Sequence, residues 1–467
     1  MDLQNRQKLH IAMFPWLAYG HIMPFFQVAM FLAEKGHHVS YISTPKNIDR
    51  LPQIPTNLSS RLSYIQLPLP QLDGLPEGAE STAELPIHKV PYLKKAHDLL
   101  QLPLTNFLQD SRVNWIIHDF ISHWLPPVAA QLGVNSVFFS IYSAATLCFT
   151  GPPSDVIAGR RQKPEDFTVV PEWIDFQSNL AFKPYETLIN QDGMDDSVSD
   201  YLRAAFVLQD CRVVILRSCA EFEPDALRLL GKMLQKPVLP VGLLAPSLQD
   251  SAAGEHWPVL KDWLDSMENN SVVYAAFGTE MTLSQELLHE LAYGLEKSGL
   301  PFIWIIKNRP LVEGESGLDH LLPPGFQDRV SGTGLVWTDW APQLRILAHP
   351  SIGGFLTHSG WSSVIEALGL GRPLILLPGS SDTGLVARLM HSRRLGLEVE
   401  RNEQDGSFTR DSVADCIRRV VVDQEGEPLR ANARAVRDIF GSTHLSYKHL
   451  DEFTRFIENY TASTKSL

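Results

Sequence analysis

Short apolar, β-branched runs alternate with helix-period segments along most of this chain, and the pattern plays twice. LHIAMFPW (9–16), HVSYIST (38–44), LSYIQLPL (62–69), NWIIHDF (114–120), SVFFSIY (136–142), RVVILRS (212–218) and VLPVGLLA (238–245) read as buried strands. Between the first two, MPFFQVAMFLAEKG (23–36) has helical spacing and stops at a glycine. Strands alternating with helices argue for an α/β, doubly wound, mostly parallel sheet. The polar, Pro-bounded stretch PSLQDSAAGEHWP (246–258) interrupts the pattern and reads as a linker. Then SVVYAAFGT (271–279), PFIWIIK (301–307), GLVWTDW (334–340), IGGFLTHS (352–359) and PLILLP (373–378) restart it. The expected organisation is a first domain over 1–245, the linker, and a second domain over 259–443. The two face each other across a cleft at the carboxyl ends of both sheets, where ligands of open α/β sheets bind. A Pro-rich, aperiodic stretch at 150–182 reads as a long functional loop, and an amphipathic helix at 444–460 closes the chain.

Composition narrows the partners. The 467 residues include 40 Lys+Arg against 53 Asp+Glu, a net charge of −13, which disfavours nucleic acid and anionic membranes. A phosphorylated ligand would need local attraction. Cys148, Cys211, Cys219 and Cys416 form no CxxC pair and read as buried reduced thiols. The first residues lack a signal-peptide pattern, and no run of 18 uncharged apolar residues occurs, so a cytoplasmic protein without a transmembrane segment is expected. Nothing suggests an obligate assembly, and a monomer is the default.

Two residues stand where open sheets place chemistry. AYGHIMP follows the first strand and puts His21 in the strand-to-helix loop. The GxGxxG fingerprint of dinucleotide binding is absent there. NWIIHDF puts Asp119 at the carboxyl end of a nearly all-apolar strand, where a carboxylate needs a partner. Accepting the Nδ1–H of His21 would orient the ring and stabilise its protonated form, the arrangement that activates a hydroxyl. His118 competes for the role, but adjacent strand residues point to opposite faces. A helix cap or an unrelated Arg partner is the structural alternative for Asp119.

The densest cluster runs from Trp340 to Thr383, WAPQLRILAHPSIGGFLTHSGWSSVIEALGLGRPLILLPGSSDT. The order strand–THSGWSS–helix offers hydroxyls and free N–H groups at a helix N-terminus, which binds phosphate without net positive charge. His358 and Ser363 can add donors, Glu366 can accept from ribose hydroxyls, and Trp340 offers a flat face for a base. Each alone fits a capped core helix; together they point to a nucleotide.

This segment resembles the signature box of plant family-1 UDP-sugar-dependent glycosyltransferases over its 44 positions. WAPQ, the HP that follows, GGFLTH, SGW, SSVIEAL and the closing Asp match. The resemblance extends along the chain through His21, Asp119 and FGT at 277–279. It implies a GT-B fold of two Rossmann-like domains, with UDP-sugar held mainly by the second and the carboxy-terminal helix crossing back onto the first. Trp340 would stack on uracil, and Gln343 and Glu366 would bind ribose. Thr279, His358 and Ser363 would hold the diphosphate, and Gly360, Trp361 and Ser362 would belong to the same donor site. Asp382 and Thr383 would meet the sugar. His21 would be the general base, with Asp119 behind it. No metal or other cofactor is implied, and the chain has no Asp-x-Asp pair to clamp one.

Three departures from the family pattern bear on the donor. HSGWSS stands where HCGWNS is usual, so Ser359 and Ser362 replace Cys and Asn. Thr383 replaces the Gln common in glucose users, and Val386 replaces a nearby Asn. UDP-glucose remains the default donor, with UDP-rhamnose and UDP-xylose as rivals. STPKNIDRLP, LDGLPEGAEST and DFISHWLPPVAAQLG look like the branch that extends sugars on flavonoid and terpenoid glycosides. The expected activity is inverting O-glycosyl transfer to a small hydrophobic or glycosylated acceptor, an aglycone included. Phe14, Trp16, Phe120, Trp124, Tyr142 and Phe182, with Ser143 beside them, are candidate acceptor walls. Competing classes are a UDP-sugar epimerase or hydrolase and a non-catalytic binder. The first would leave the 150–182 loop unexplained, and the second would leave His21 and Asp119 unexplained.

Overall fold

The computed structural model describes residues 8–189, 198–249, 253–278, 281, 283–306 and 321–464. Its first sheet contains β1 (His10–Phe14), β2 (His38–Ser43), β3 (Leu62–Gln66), β4 (Trp115–His118), β5 (Asn135–Ser140), β6 (Val213–Leu216) and β7 (Val238–Pro240). Their spatial order is β3-β2-β1-β4-β5-β6-β7, and every pairing is parallel. The second sheet contains β8 (Val272–Ala276), β9 (Phe302–Ile305), β10 (Gly334–Trp337), β11 (Ile352–Thr357), β12 (Leu374–Leu376) and β13 (Gly396–Glu398). It runs β10-β9-β8-β11-β12-β13, again all parallel. The central strands are buried on both faces, which is why they read as continuous apolar runs rather than alternating ones. The sequence pattern anticipates every one of these strands except β13, whose three residues, Gly-Leu-Glu, carry no apolar run.

Strand order reverses direction between β1 and β4 in the first sheet and between β8 and β11 in the second. A crevice opens where crossovers diverge to opposite faces, so each reversal marks a binding position at the strands' carboxyl ends. Phe14 pairs with His118 and Ala276 with Thr357, so the loops after these four strands start side by side. His21, Asp119 and His358 all lie in or just beyond such loops.

The helix Thr443–Thr464 lies against the first domain. Leu450, Phe453 and Ile457 enter the core formed by β1, β2 and the helix Tyr19–Glu34. The Trp115 indole donates to Thr461 Oγ1 at 2.8 Å, and Lys35 pairs with Asp451 at 2.6 Å. Within the expected linker, the helix Trp257–Asp265 already begins, and its Leu260 and Leu264 pack into the core that contains β8 and β11 residues. The 150–182 stretch is more ordered than a loop: it contains the helix Pro153–Ile157 and a short 3₁₀ turn, Pro164–Phe167. Arg161 organises it, donating to the Phe149 and Asp166 carbonyls while its guanidinium rests 4.1 Å and 4.4 Å from the Phe149 and Phe167 ring centres.

The domains meet in an apolar cluster in which Phe149, Phe222 and Leu243 of the first pack with Trp361, Leu385 and Phe440 of the second half of the chain. A buried ion pair flanks it: Arg388 donates to both Glu186 carboxylate oxygens at 2.7 and 2.8 Å. Among the described residues, no helix is long and apolar enough to cross a membrane.

Candidate active site

The cleft between the sheets is a single cavity of about 3130 Å³, lined from the first domain by His21 and from the second by His358. His21 sits in the first turn of the helix Tyr19–Glu34, three residues past its cap Ala18. Its Nδ1 lies 2.7 Å from Asp119 Oδ2. Asp119 is 1% exposed, and its carboxylate also accepts from the Trp16 and Phe120 backbone N–H groups at 3.2 and 2.8 Å. A carboxylate so held can only accept from His21, so Nδ1 carries the proton and Nε2 is the basic nitrogen. The Phe120 and Tyr142 rings stand 5.9 and 6.1 Å from the imidazole. His118, the competitor, is fully buried with Nδ1 3.1 Å from the Asp119 carbonyl oxygen, out of the cavity.

Across the cleft, β11 ends at Thr357 and the helix Trp361–Gly369 starts after Gly360. His358 packs closely against two glycines: a Cβ on Gly278 or Gly360 would stand 2.7 or 2.5 Å from its ring. Burial holds the His358 imidazole down at about 4, so it is neutral at pH 7. Its Nδ1 and the Ser359 hydroxyl are buried without a hydrogen-bond partner among the described residues. Ser359 adopts φ +70°, a left-handed conformation that turns the chain into the helix. Free N–H groups, a hydroxyl and a neutral imidazole therefore converge on one helix N-terminus, a donor set suited to an anion.

Further along, Gln343 Nε2 donates to Glu366 Oε2 at 2.8 Å and reaches Ser363 Oγ at 3.4 Å. Burial raises the Glu366 carboxyl, opposed by that Gln343 bond and by the Arg217 charge. Trp340 is 63% exposed at the rim. Gly254 of the linker backs it, because a Cβ there would sit 2.5 Å from the indole. Asp382 and Thr383 line the cavity at the start of the helix Thr383–Ser392, with the Thr383 hydroxyl donating to Ser380 O at 2.8 Å.

Several expected positions differ in detail. Thr279 lies outside the described residues. Trp361 and Ser362 line the cavity and also reach the domain seam: the Trp361 indole donates to Arg217 O at 2.9 Å, and Ser362 Oγ accepts from Arg217 Nη1 at 2.6 Å. Of the acceptor candidates, Trp16, Phe120, Tyr142 and Phe182 line the cavity, whereas Phe14, Trp124 and Ser143 do not. Phe14 is fully buried in the first domain's core, stacked 4.9 Å from the His97 ring with Trp124 beside it. The Ser143 hydroxyl accepts from Thr146 N at 3.1 Å and caps the helix Ala144–Thr150. Arg217 belongs to no motif of the sequence, yet it follows a buried apolar strand as Asp119 does, and the same rule finds it.

A base on one wall and an anion-receptive helix end on the other suit group transfer from a nucleotide-linked donor, and the fold is the two-domain GT-B arrangement of nucleotide-sugar transferases. Residues 178–426 match the family model described as UDP-glucoronosyl and UDP-glucosyl transferase. UDP-glycosyltransferase 91C1 of Arabidopsis thaliana is 46% identical over 467 residues, covering 99% of each chain. The soyasaponin III rhamnosyltransferase of Glycine max is 41% identical, covering 99% of this chain and 98% of that protein. The Glycyrrhiza uralensis UGT73P12 structure, a complex with glycyrrhetinic acid 3-O-monoglucuronide, shares the fold with a TM-score of 0.82 at 23% identity, covering 98% of each chain. The chain belongs to the plant family-1 UDP-dependent glycosyltransferases.

His97, His118 and His358 are all held down at about 4 by burial. The unfolded chain, with histidines near 6.5, binds more protons between those values, so the stability these three contribute is full above pH 6.5 and falls as pH drops toward 4. Each histidine steepens the loss by up to about 1.4 kcal/mol per pH unit. Thermal unfolding should shift down by several degrees between pH 7 and pH 5, and replacing His97 by Phe should flatten that slope.

Proposed function

We propose that this enzyme is an inverting O-glycosyltransferase that moves a sugar from UDP to a hydroxyl of a small acceptor. The acceptor hydroxyl belongs to a sugar already carried by a terpenoid or flavonoid. The observation that carries the reaction type is the His21–Asp119 hydrogen bond, 2.7 Å long, on the cavity wall. His21 Nε2 removes the acceptor hydroxyl proton as the oxygen attacks the anomeric carbon. The bond from that carbon to the β-phosphate oxygen breaks on the opposite face, its electron pair leaving with UDP, so the configuration inverts. Asp119 keeps the ring oriented and stabilises the imidazolium. Base assistance of this kind contributes about 10²–10⁴-fold. The negative charge on departing UDP meets the N-terminus of the helix Trp361–Gly369 and His358, with no metal assigned to the step.

The binding roles follow the same wall. Trp340 takes the uracil face, Gln343 and Glu366 the ribose, His358, Gly360 and Ser363 the diphosphate, and Asp382 the sugar hydroxyls. Trp16, Phe120, Tyr142 and Phe182 hold the acceptor's apolar part. UDP-glucose is the default donor. A second donor reading rests on Thr383: its hydroxyl proton is committed to Ser380 O, leaving only an acceptor lone pair and a methyl for the sugar. That favours a donor with fewer hydroxyls, UDP-rhamnose or UDP-xylose, and one relative is named as a rhamnosyltransferase.

His21→Ala should lose nearly all transfer while retaining UDP binding by calorimetry, with native activity persisting in EDTA. Full transfer by that variant would overturn the base assignment. A donor panel against one glycoside acceptor separates the donors. In the same assay Thr383→Gln should move the kcat/KM ratio toward UDP-glucose by about tenfold, because an added amide can satisfy sugar hydroxyls that Thr leaves unmet. An unchanged ratio would remove Thr383 from donor selection.

A further inference from the structure

The donor end has to hold a diphosphate within a chain of net charge −13. Among the described residues lining the cavity, the Lys and Arg side chains are Lys94, Arg161 and Arg217. Lys94 pairs with Asp200 at 2.6 Å, and Arg161 is stacked on Phe149 and Phe167, so both are engaged within the first domain. Arg217 is bonded across the cleft.

It follows β6 directly, at the carboxyl end of a strand buried along its length. Its side chain donates to three oxygens: Nε to Leu243 O at 2.8 Å, Nη2 to Leu244 O at 3.3 Å, and Nη1 to Ser362 Oγ at 2.6 Å. The two carbonyls come from the segment after β7, where Leu244 takes φ +52°. Ser362 is the second residue of the helix Trp361–Gly369, whose N-terminus forms the anion site. The contact is reciprocal, since the Trp361 indole returns a hydrogen bond to Arg217 O. Arg217 is 3% exposed, so its charge acts with little screening by water. The Glu366 carboxylate feels this charge, and among the described residues no ion pair joins Arg217 to a carboxylate. The guanidinium thus carries a positive charge with no ion-pair partner among the described residues, one residue from the helix end and supplied by the opposite domain.

We propose that Arg217 is the cation of the donor site, a first-domain positioning residue that acts through Ser362. It fixes the first turn of the helix Trp361–Gly369 in register with the cleft. Its field favours the diphosphate and the charge that gathers on the β-phosphate oxygen when the bond to the anomeric carbon breaks. The domain seam is then part of donor recognition, because the second domain alone lacks this charge. The proposal rests on the reading of this site as the UDP site, and native UDP binding is the control for that reading.

The test compares UDP with uridine, which has no diphosphate, by isothermal titration on the native chain, Arg217→Gln, Arg217→Met and Arg217→Lys, with circular dichroism to establish folding. The expected result is UDP affinity weakened at least tenfold in the Gln and Met variants, with uridine affinity within twofold of native. The Lys variant should keep UDP affinity within about threefold. Unchanged UDP affinity in either neutral variant overturns the proposal. So does a parallel loss of UDP and uridine, which marks a scaffold role, as does failure of both neutral variants to fold. Absence of UDP binding by the native chain would instead overturn the donor-site reading itself.

Discussion

The hydrogen bond between His21 and Asp119 joins residues 98 positions apart, and it exists because β1 and β4 are neighbours in a parallel sheet. Strand order reverses between them, so the loops after both strands open onto the same crevice. Each partner is then over-determined. Asp119 is fixed by two backbone N–H groups from Trp16 and Phe120, and His21 by the first turn of a helix packed into the core. The basic nitrogen is aimed by the fold rather than by a flexible loop. The second sheet repeats the device: β8 and β11 flank its own reversal, and Gly278 and His358 follow them.

The two reversals face one another only because the domains are seated together. The seam combines apolar contact, with the Trp361, Phe222 and Phe440 rings packed against one another, and buried polar ties at Arg217–Ser362 and Glu186–Arg388. The carboxy-terminal helix returns to the first domain and closes the chain over that seam. An acidic protein can hold a diphosphate under these conditions. On the proposed reading the attraction comes from a helix end, a neutral imidazole and a buried guanidinium, all acting at short range, while the net charge governs encounters with polyanions.

Much of this was legible in the sequence because each decisive residue ends an apolar run. NWIIHDF announces Asp119, IGGFLTHS announces His358, and RVVILRS carries Arg217 by the same logic. The doubled strand–helix alternation carried the architecture. What the sequence did not show depends on which face a side chain takes or what it touches across the chain. Phe14 and Trp124 are aromatic and near the site in sequence, but the strand's pleat and the following turn send them to the core around His97. Ser143 is spent as a helix cap. Trp361 sits in the signature segment, yet its indole serves the domain seam, which no local pattern encodes. β13 is too short and too polar at its end to register as a strand, and pairs only because β12 offers it an edge.

The central claim is that Asp119 sets the proton position on His21 and thereby makes it the base. Asp119→Asn preserves size and most contacts while offering the ring an amide in place of a carboxylate. The measurement is kcat of this variant with saturating UDP-sugar and acceptor, alongside UDP affinity. The account predicts a fall in kcat of about 10²–10⁴-fold with UDP affinity unchanged. A kcat within twofold of native would contradict it.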